Sequence, residues 1–211
     1  VLGTIFFVVG FEHFFSFSIN YNFVYPILLC SIIALSIFLK KLYLTRRKNI
    51  FTLGFLGKLE NYISEGNFDS CIVFCQKDGS VFSKIVVTAL LNRSKPTNEL
   101  EKIIEDEGVR QIFDLSKSNE ILGSLSNIST LLGLLGTISG MITVFQVIAT
   151  QPVVDPPSLA GGISEALYTT AFGLLVAIPT FIGYKFLAER INEIAMMLQA
   201  ESMKLLSRIK N

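Results

Sequence analysis

Three stretches of this 211-residue chain carry no Lys, Arg, Asp or Glu, and that limits what the chain can fold into: residues 14–39, 121–154 and 166–184. A helix needs about 20 mainly apolar residues to cross roughly 30 Å of hydrocarbon, and the first two windows supply them outright. The third is long enough if it begins near Ser158 and takes Glu165 inside. A buried helix of a soluble protein accounts for one such window, but three in so short a chain point to three membrane spans.

Composition agrees. The chain is 51% hydrophobic and 17% charged, against roughly 25% charged in an ordinary soluble domain. Mean hydropathy is +0.56, which excludes a disordered tail. Three cysteines do not make a disulfide framework. A net charge of +1 offers no concentrated basic surface for nucleic acid, and the expected surroundings are a lipid bilayer.

The few charges orient the spans. Lys40, Lys41, Arg46, Arg47 and Lys48 crowd one end of the first window, and Lys185 and Arg190 follow the third, whereas the turn between the second and third carries only Asp155. Lys and Arg collect on the cytoplasmic side. The expected fold class is therefore all-α: an integral membrane protein with three transmembrane helices and long cytoplasmic helical extensions. Its parts are an interfacial segment on the outer face (1–20), transmembrane helix 1 (21–39), a cytoplasmic helical domain (40–122), transmembrane helix 2 (123–149), a periplasmic turn (150–158), transmembrane helix 3 (159–184) and a cytoplasmic helical tail (185–211). The first ten residues are apolar without a basic flank, a poor fit to a cleaved signal peptide. Val1 in place of Met leaves an unusual start codon or a preceding piece open. Glu12 and the single histidine, His13, would sit near the headgroups, with Tyr21, Tyr25 and Tyr43 bracketing the first span.

Residues 40–120 hold 13 Lys+Arg and 11 Asp+Glu. Gly54, Gly66, Gly79 and Pro96 divide them into pieces of helical-hairpin length. Leu56, Leu59, Tyr62 and Ile63 recur at helical spacing before the stop Glu65-Gly66-Asn67; Phe68, Ile72 and Cys75, then Phe82, Ile85, Val86, Ala89 and Leu90, repeat the pattern. Cys71 and Cys75, four apart and without a nearby His, read as buried free thiols rather than a metal or redox pair. Glu105-Asp106-Glu107 reads as a solvated helix face. Beyond the third span, Leu187, Ile191, Ile194, Leu198 and Leu205 continue an apolar stripe for helix packing, so that 158–208 would form one helix about 75 Å long.

No catalytic constellation is present. The glycine-rich run from Gly133 to Gly140 lacks the Lys of a phosphate loop, and one His with no Ser-His-Asp set does not fit a hydrolase, so no enzyme activity, cofactor or metal is expected. Attention falls on polar groups inside the spans. Glu165 lies about 10 Å into the third helix, where a charged carboxylate costs about 2.5–3.5 kcal/mol unless it faces protein, partner or water. An i+4 row runs from it through Thr169, Gly173 and Ala177. The second span offers Gly133, Gly136 and Gly140, with Thr137 and Ser139 between. Small residues let helices approach closely. Two readings remain open on these residues alone: a narrow polar path, or Thr hydroxyls bonded to their own helices and a static ion pair at Glu165.

The run Leu131-Leu-Gly-Leu-Leu-Gly-Thr-Ile-Ser-Gly-Met141 with Phe145, and the run from Leu159 through Gly-Gly-Ile-Ser-Glu165 and Thr169-Thr170 to Pro179, resemble the ExbB/TolQ/MotA proton-channel family, in its ExbB/TolQ branch. The segment Tyr25-Pro-Ile-Leu-Leu-Cys-Ser-Ile-Ile-Ala-Leu35 is similar to the family's opening span, and the 28 residues from Thr137 to Glu165 fit its spacing. The resemblance implies a homo-pentamer in the bacterial inner membrane. Its second and third helices would line a pore holding the single-span helices of an ExbD/TolR-like partner, whose aspartate takes and releases protons. Thr137 and Thr170 would face that aspartate, with Glu165 near the outer mouth of the same lumen. Proton flow would pass work to a TonB- or TolA-like protein. The expected function is thus an ExbB-like stator subunit energising TonB-type outer-membrane transport. A TolQ-like subunit of an envelope-integrity motor is the near alternative, and a passive scaffold without ion flux the alternative of another class; a MotA-type stator would bring four spans and a larger cytoplasmic domain. Pro179 should kink helix three by freeing the carbonyl of Leu175. Two positions depart from the family pattern: Thr130 where a Pro usually precedes the LLGLLGT run, and Lys185 where Asn often follows the Tyr.

Overall fold

The computed structural model describes residues 21–45, 54–151 and 155–210; the interfacial segment expected over 1–20, with Glu12 and His13, lies outside them, as do residues 46–53 and the centre of the 150–158 turn. The described residues form six helices and no strand: α1 Tyr21–Leu44, α2 Phe55–Ser64, α3 Phe68–Asp78, α4 Val81–Leu91, α5 Thr97–Thr150 and α6 Pro156–Lys210. Three of them, α1, α5 and α6, are long and apolar enough to cross a membrane. With 54 and 55 residues, α5 and α6 are each about 80 Å long, so both carry long helical extensions. Helix α6 is continuous through Pro179.

Helix ends follow local chemistry. Pro156 and Pro157 open α6, where a missing N–H costs nothing, and Asp155 accepts from the Leu159 amide and the Ser158 hydroxyl. Gln151, next after α5, precedes Pro152, and a residue before proline is pushed away from helical angles. Gly66 and Gly79 have φ of 71° and 64°, in the left-handed region that favours glycine, and end α2 and α3. Asn67 and Ser80 cap α3 and α4 by accepting from the amides of Ser70 and Ser83.

The chain folds into two compact units. One contains α2, α3, α4 and the parts of α1, α5 and α6 outside residues 21–36 and 122–182. Its core joins Phe55, Leu59, Phe82, Ile85, Val86, Leu90, Leu100 and Ile104 to Ile194, Leu198 and Leu205 of α6. The α6 stripe expected from its spacing, Leu187 to Leu205, is buried at all five positions. Phe55 stacks on Phe74 with centroids 5.4 Å apart and meets Phe82 edge-on at 6.2 Å. Cys71 and Cys75 are buried and hydrogen-bonded to each other; that bond and then burial push the Cys75 thiol above its ordinary value. Glu105 and Asp106 are exposed, and among the described residues no three His, Cys, Asp or Glu side chains gather to hold a metal.

The other unit holds residues 21–36 of α1 and residues 122–182 of α5 and α6. Val24, Ile27, Cys30 and Ala34 are buried on one stripe of α1, while Tyr25, Leu29 and Ile32 are exposed. Val24 packs with Leu28 against Phe172 of α6. Exposed Leu131, Leu134, Ile138, Ile142 and Phe145 give α5 a second apolar face, suited to lipid or to another helix.

Candidate functional site

The seam between α5 and α6 is made of residues with almost no side chain. Along it Gly162 meets Val144, Gly140 meets Ala166, Gly136 meets Thr169 and Gly133 meets Gly173. Next, the Ser126 hydroxyl donates to the carbonyl of Ala177 at 2.8 Å. A methyl group built on Gly173 would stand 2.7 Å from the Ser129 carbonyl oxygen and 2.8 Å from the Gly133 Cα; one on Gly140 would stand 2.7 Å from the Ala166 Cβ. Backbone therefore lies on backbone, the geometry that small residues allow in a membrane, where water does not drive helices together. Gly133, Gly136, Gly140, Gly173 and Ala177 all lie on this seam.

The close approach brings three hydroxyls together. Thr137 of α5 and Thr170 of α6 are hydrogen-bonded to each other. The Thr170 hydroxyl also reaches the Gly133 carbonyl at 3.0 Å, and that of Thr137 reaches the carbonyls of Ala166 at 3.2 Å and Gly133 at 3.3 Å. Thr169, 1% exposed, donates to the Ala166 carbonyl at 2.7 Å. A threonine hydroxyl has one proton to give and two lone pairs. Whichever of Thr137 and Thr170 donates to the other, the second has a carbonyl to donate to. Both protons are thus satisfied within the chain, and what remains for a visitor is acceptor capacity. Thr137 and Thr170 are half-buried, so that capacity is reachable.

Glu165 does not join this group. It is half-buried and lines a cleft of about 150 Å³ with Gly136, Gly140, Thr143, Ser158 and Thr169 among its walls. Five residues separate it from Thr170, about 140° around the helix axis, whereas the seven to Phe172 bring it back to within about 20°. Glu165 therefore shares the flank of α6 that receives α1, and Thr170 lies on the other. No Lys or Arg occurs in this unit, so none of its described residues supplies a cation to pair with Glu165.

Thr169, Ser126 and Ser129 take part in the seam although the polar-path reading rests on Thr137, Glu165 and Thr170. Their signal is a seven-residue repeat of small residues: Ser126, Gly133, Gly140; Ser129, Gly136; Gly162, Thr169; Ala166, Gly173. Thr130 continues α5 without a break, its hydroxyl bonded to the Ser126 carbonyl at 3.3 Å. Lys185 stands over the ring of Tyr184, 5.6 Å from its centre.

Residues 76–200 match the model of the MotA/TolQ/ExbB proton channel family. The chain is similar to biopolymer transport protein ExbB of Aquifex aeolicus, 35% identical over 80 residues, which is 38% of this chain and 54% of that protein. It is similar to biopolymer transport protein exbB1 of Vibrio cholerae, 46% identical over 69 residues, 32% of this chain and 30% of the relative. The Tol-Pal system protein TolQ of Haemophilus influenzae is 34% identical over 85 residues, 40% of this chain and 37% of the relative. The chain thus spans about half the length of these relatives or less. Among solved structures, C. jejuni MotAB shares the fold, with a TM-score of 0.52 at 16% identity, covering 90% of this chain and 76% of that one.

Proposed function

The chain belongs to the MotA/TolQ/ExbB proton channel family, and on that premise we propose that it is the pore-forming stator subunit of an inner-membrane motor driven by the proton-motive force, serving a TonB-type outer-membrane transport system. The observation that carries this reading is the hydroxyl pair Thr137–Thr170, held on the flank of the α5–α6 seam away from α1. In a homo-pentamer that turns this flank inward, α1 lies outside and the hydroxyls line a lumen. A single-span ExbD/TolR-like partner brings an aspartate to them.

The residues then divide the work. With their own protons engaged, Thr137 and Thr170 receive the aspartate best as the neutral acid, which donates its proton to a hydroxyl oxygen and is cheaper to hold in an apolar lumen than its anion. A hydroxyl that turns its proton outward can meet the anion instead. Each proton crossing 100 mV releases about 2.3 kcal/mol, so repeated protonation supplies work to a TonB-like protein. Glu165 lies in its own cleft on the flank that receives α1, so on this reading it stands towards the outer side and off the lumen that the two threonines line. The five glycine and alanine positions keep the seam closed, and Pro179 places a bend in α6. The excess of Lys and Arg beside the spans supports a periplasmic N-terminus and a cytoplasmic C-terminus. On this topology residues 40–122 and 185–211 form the cytoplasmic helical part, and 150–158 the periplasmic turn.

The test is energised uptake by cells carrying Thr137→Val or Thr170→Val, with assembly checked on the purified complex. Loss of uptake with assembly intact supports the path; full uptake in either variant overturns it in favour of a passive scaffold. A protonophore should abolish uptake and sodium-free medium should not. The similarity to TolQ favours a second reading, a TolQ-like subunit working through a TolA-like protein on envelope integrity. Detergent sensitivity of a deletion strain with normal uptake would select it.

A further inference from the structure

Within the unit that contains the helical hairpins, α1, α5 and α6 also meet through polar groups. The Lys41 ammonium, on a side chain 5% exposed overall, donates to the carbonyl of Leu115 at 2.6 Å. One turn along α5 from Leu115 lies Asn119, 1% exposed, whose Nδ2 donates to the carbonyl of Tyr184 on α6 at 3.3 Å. Phe38, one turn before Lys41 on α1, packs on Gly183, where a methyl group would stand 3.0 Å from its ring. So α1 and α6 press on the same turn of α5. Within this node the Asn119 Oδ1 is buried and receives no hydrogen bond among the described residues.

That oxygen needs a donor, because a buried carbonyl-type oxygen left unpaired costs about 1–3 kcal/mol. The amide cannot be turned to remedy this, since Nδ2 is fixed by its donation to the Tyr184 carbonyl. Lys41 has two further N–H groups beyond the one given to Leu115. Leu115 and Asn119 are one turn apart on one face of α5, and a helical side chain leans back towards the preceding turn, so Asn119 Oδ1 and the ammonium on the Leu115 carbonyl share one turn of the helix, where a single water can join them. We propose that Asn119 Oδ1 and Lys41 Nζ share one bound water, and that this hydrated node is a latch fastening the lysine-bearing end of α1 to α5 and α6. The site takes a small neutral donor. It has no place for a metal cation, because the ammonium already occupies the charge position. The latch is independent of the proton-path reading, and its test does not use transport.

The experiment is a high-resolution structure of the full complex in lipid nanodiscs, with melting curves of the complex for Lys41→Met, Asn119→Leu and the pair together. Density for a water touching both Oδ1 and Nζ is expected, and the double variant should lose less than the two single losses combined, because each change removes its own bond, to Leu115 or to Tyr184, but both remove the same water. Losses that add would overturn the link, as would a node without water or one in which Nζ touches Oδ1 directly. If Asn119→Leu does not assemble, Asn119→Asp decides: it gives up the bond to the Tyr184 carbonyl in any background, so it should melt below the parent, but adding Lys41→Met should cost it more than Lys41→Met costs the parent. An equal cost of Lys41→Met in the two backgrounds would overturn the proposal.

Discussion

Thr137 and Thr170, 33 residues apart in the chain, form a hydroxyl–hydroxyl hydrogen bond across the α5–α6 seam. Neither hydroxyl holds the helices together: a neutral hydrogen bond is worth roughly 0.5–1.5 kcal/mol, while the seam beneath it is continuous backbone contact. Valine at either position should therefore leave the complex assembled, with a melting temperature within a few degrees of the parent, and remove energised uptake. Serine at the same positions restores the oxygen and should restore most uptake. Comparing the Val and Ser pairs in one uptake assay checks both halves.

The seam itself should respond to size. At Gly173 even alanine puts a methyl group 2.7 Å from a backbone oxygen that no rotamer can move. Overpacking of this kind costs about 1–3 kcal/mol. Gly57, inside α2, has nothing within 4 Å of a built methyl group, and alanine there should stabilise by about 0.5–1 kcal/mol through helix propensity. Opposite shifts in melting temperature for Gly173→Ala and Gly57→Ala are expected from the purified complex.

The thiol pair predicts a pH dependence. In the folded chain Cys75 is raised above its ordinary value by the bond to Cys71 and by burial, so the folded state prefers the protonated thiol. Its contribution to stability is complete below the ordinary thiol value, about 8.5, and is lost as pH climbs above it. In the parent Cys71, lowered by the same bond, offsets part of this fall, so the test isolates Cys75: melting curves from pH 7.5 to 10.5 should fall more steeply for Cys71→Ala, where Cys75 stands alone and buried, than for the double variant Cys71→Ala/Cys75→Ala. Both thiols should resist maleimide in the folded complex and react on denaturation.

Extension packing should outweigh surface charge. Arg208 pairs with Glu60 at 2.5 Å, but both side chains are about half exposed, so Arg208→Ala should cost less than about 1 kcal/mol. Leu198 is fully enclosed in the core that α6 shares with the hairpins, and Leu198→Ala should cost about 2–5 kcal/mol. Chemical denaturation of the two variants gives the ranking.

Much of this was legible before any coordinates. Gly66 and Gly79 mark helix ends because a left-handed residue there is cheapest as glycine, and the α6 stripe from Leu187 to Leu205 repeats because one face must be dry. Spacing places a residue on a face without saying what it meets. Helical spacing starts the apolar face of α2 at Leu56, whereas the structure buries Phe55 and leaves Leu56 partly covered, since the aromatic cluster with Phe74 and Phe82 draws the helix round. Lys41 read simply as one of a basic group flanking a span; its burial depends on a carbonyl of a helix some seventy residues away. The separation of Glu165 from Thr170 was available from five residues of helix, but which flank would receive α1 depended on Phe172 meeting Val24.

A contact of glycine on glycine has no rotamers. Where Gly133 and the Ser129 carbonyl meet Gly173, the two helices touch through atoms that cannot swing aside, so at that level there is no side-chain joint at which one helix could roll over the other. The two threonines are consequently carried on backbones held at a fixed distance from each other. On the proposed function, a stroke induced by a proton would carry these parts of α5 and α6 together, and slippage would fall to outer faces such as that of Leu131, Ile138 and Phe145, which offers only greasy bearing surface.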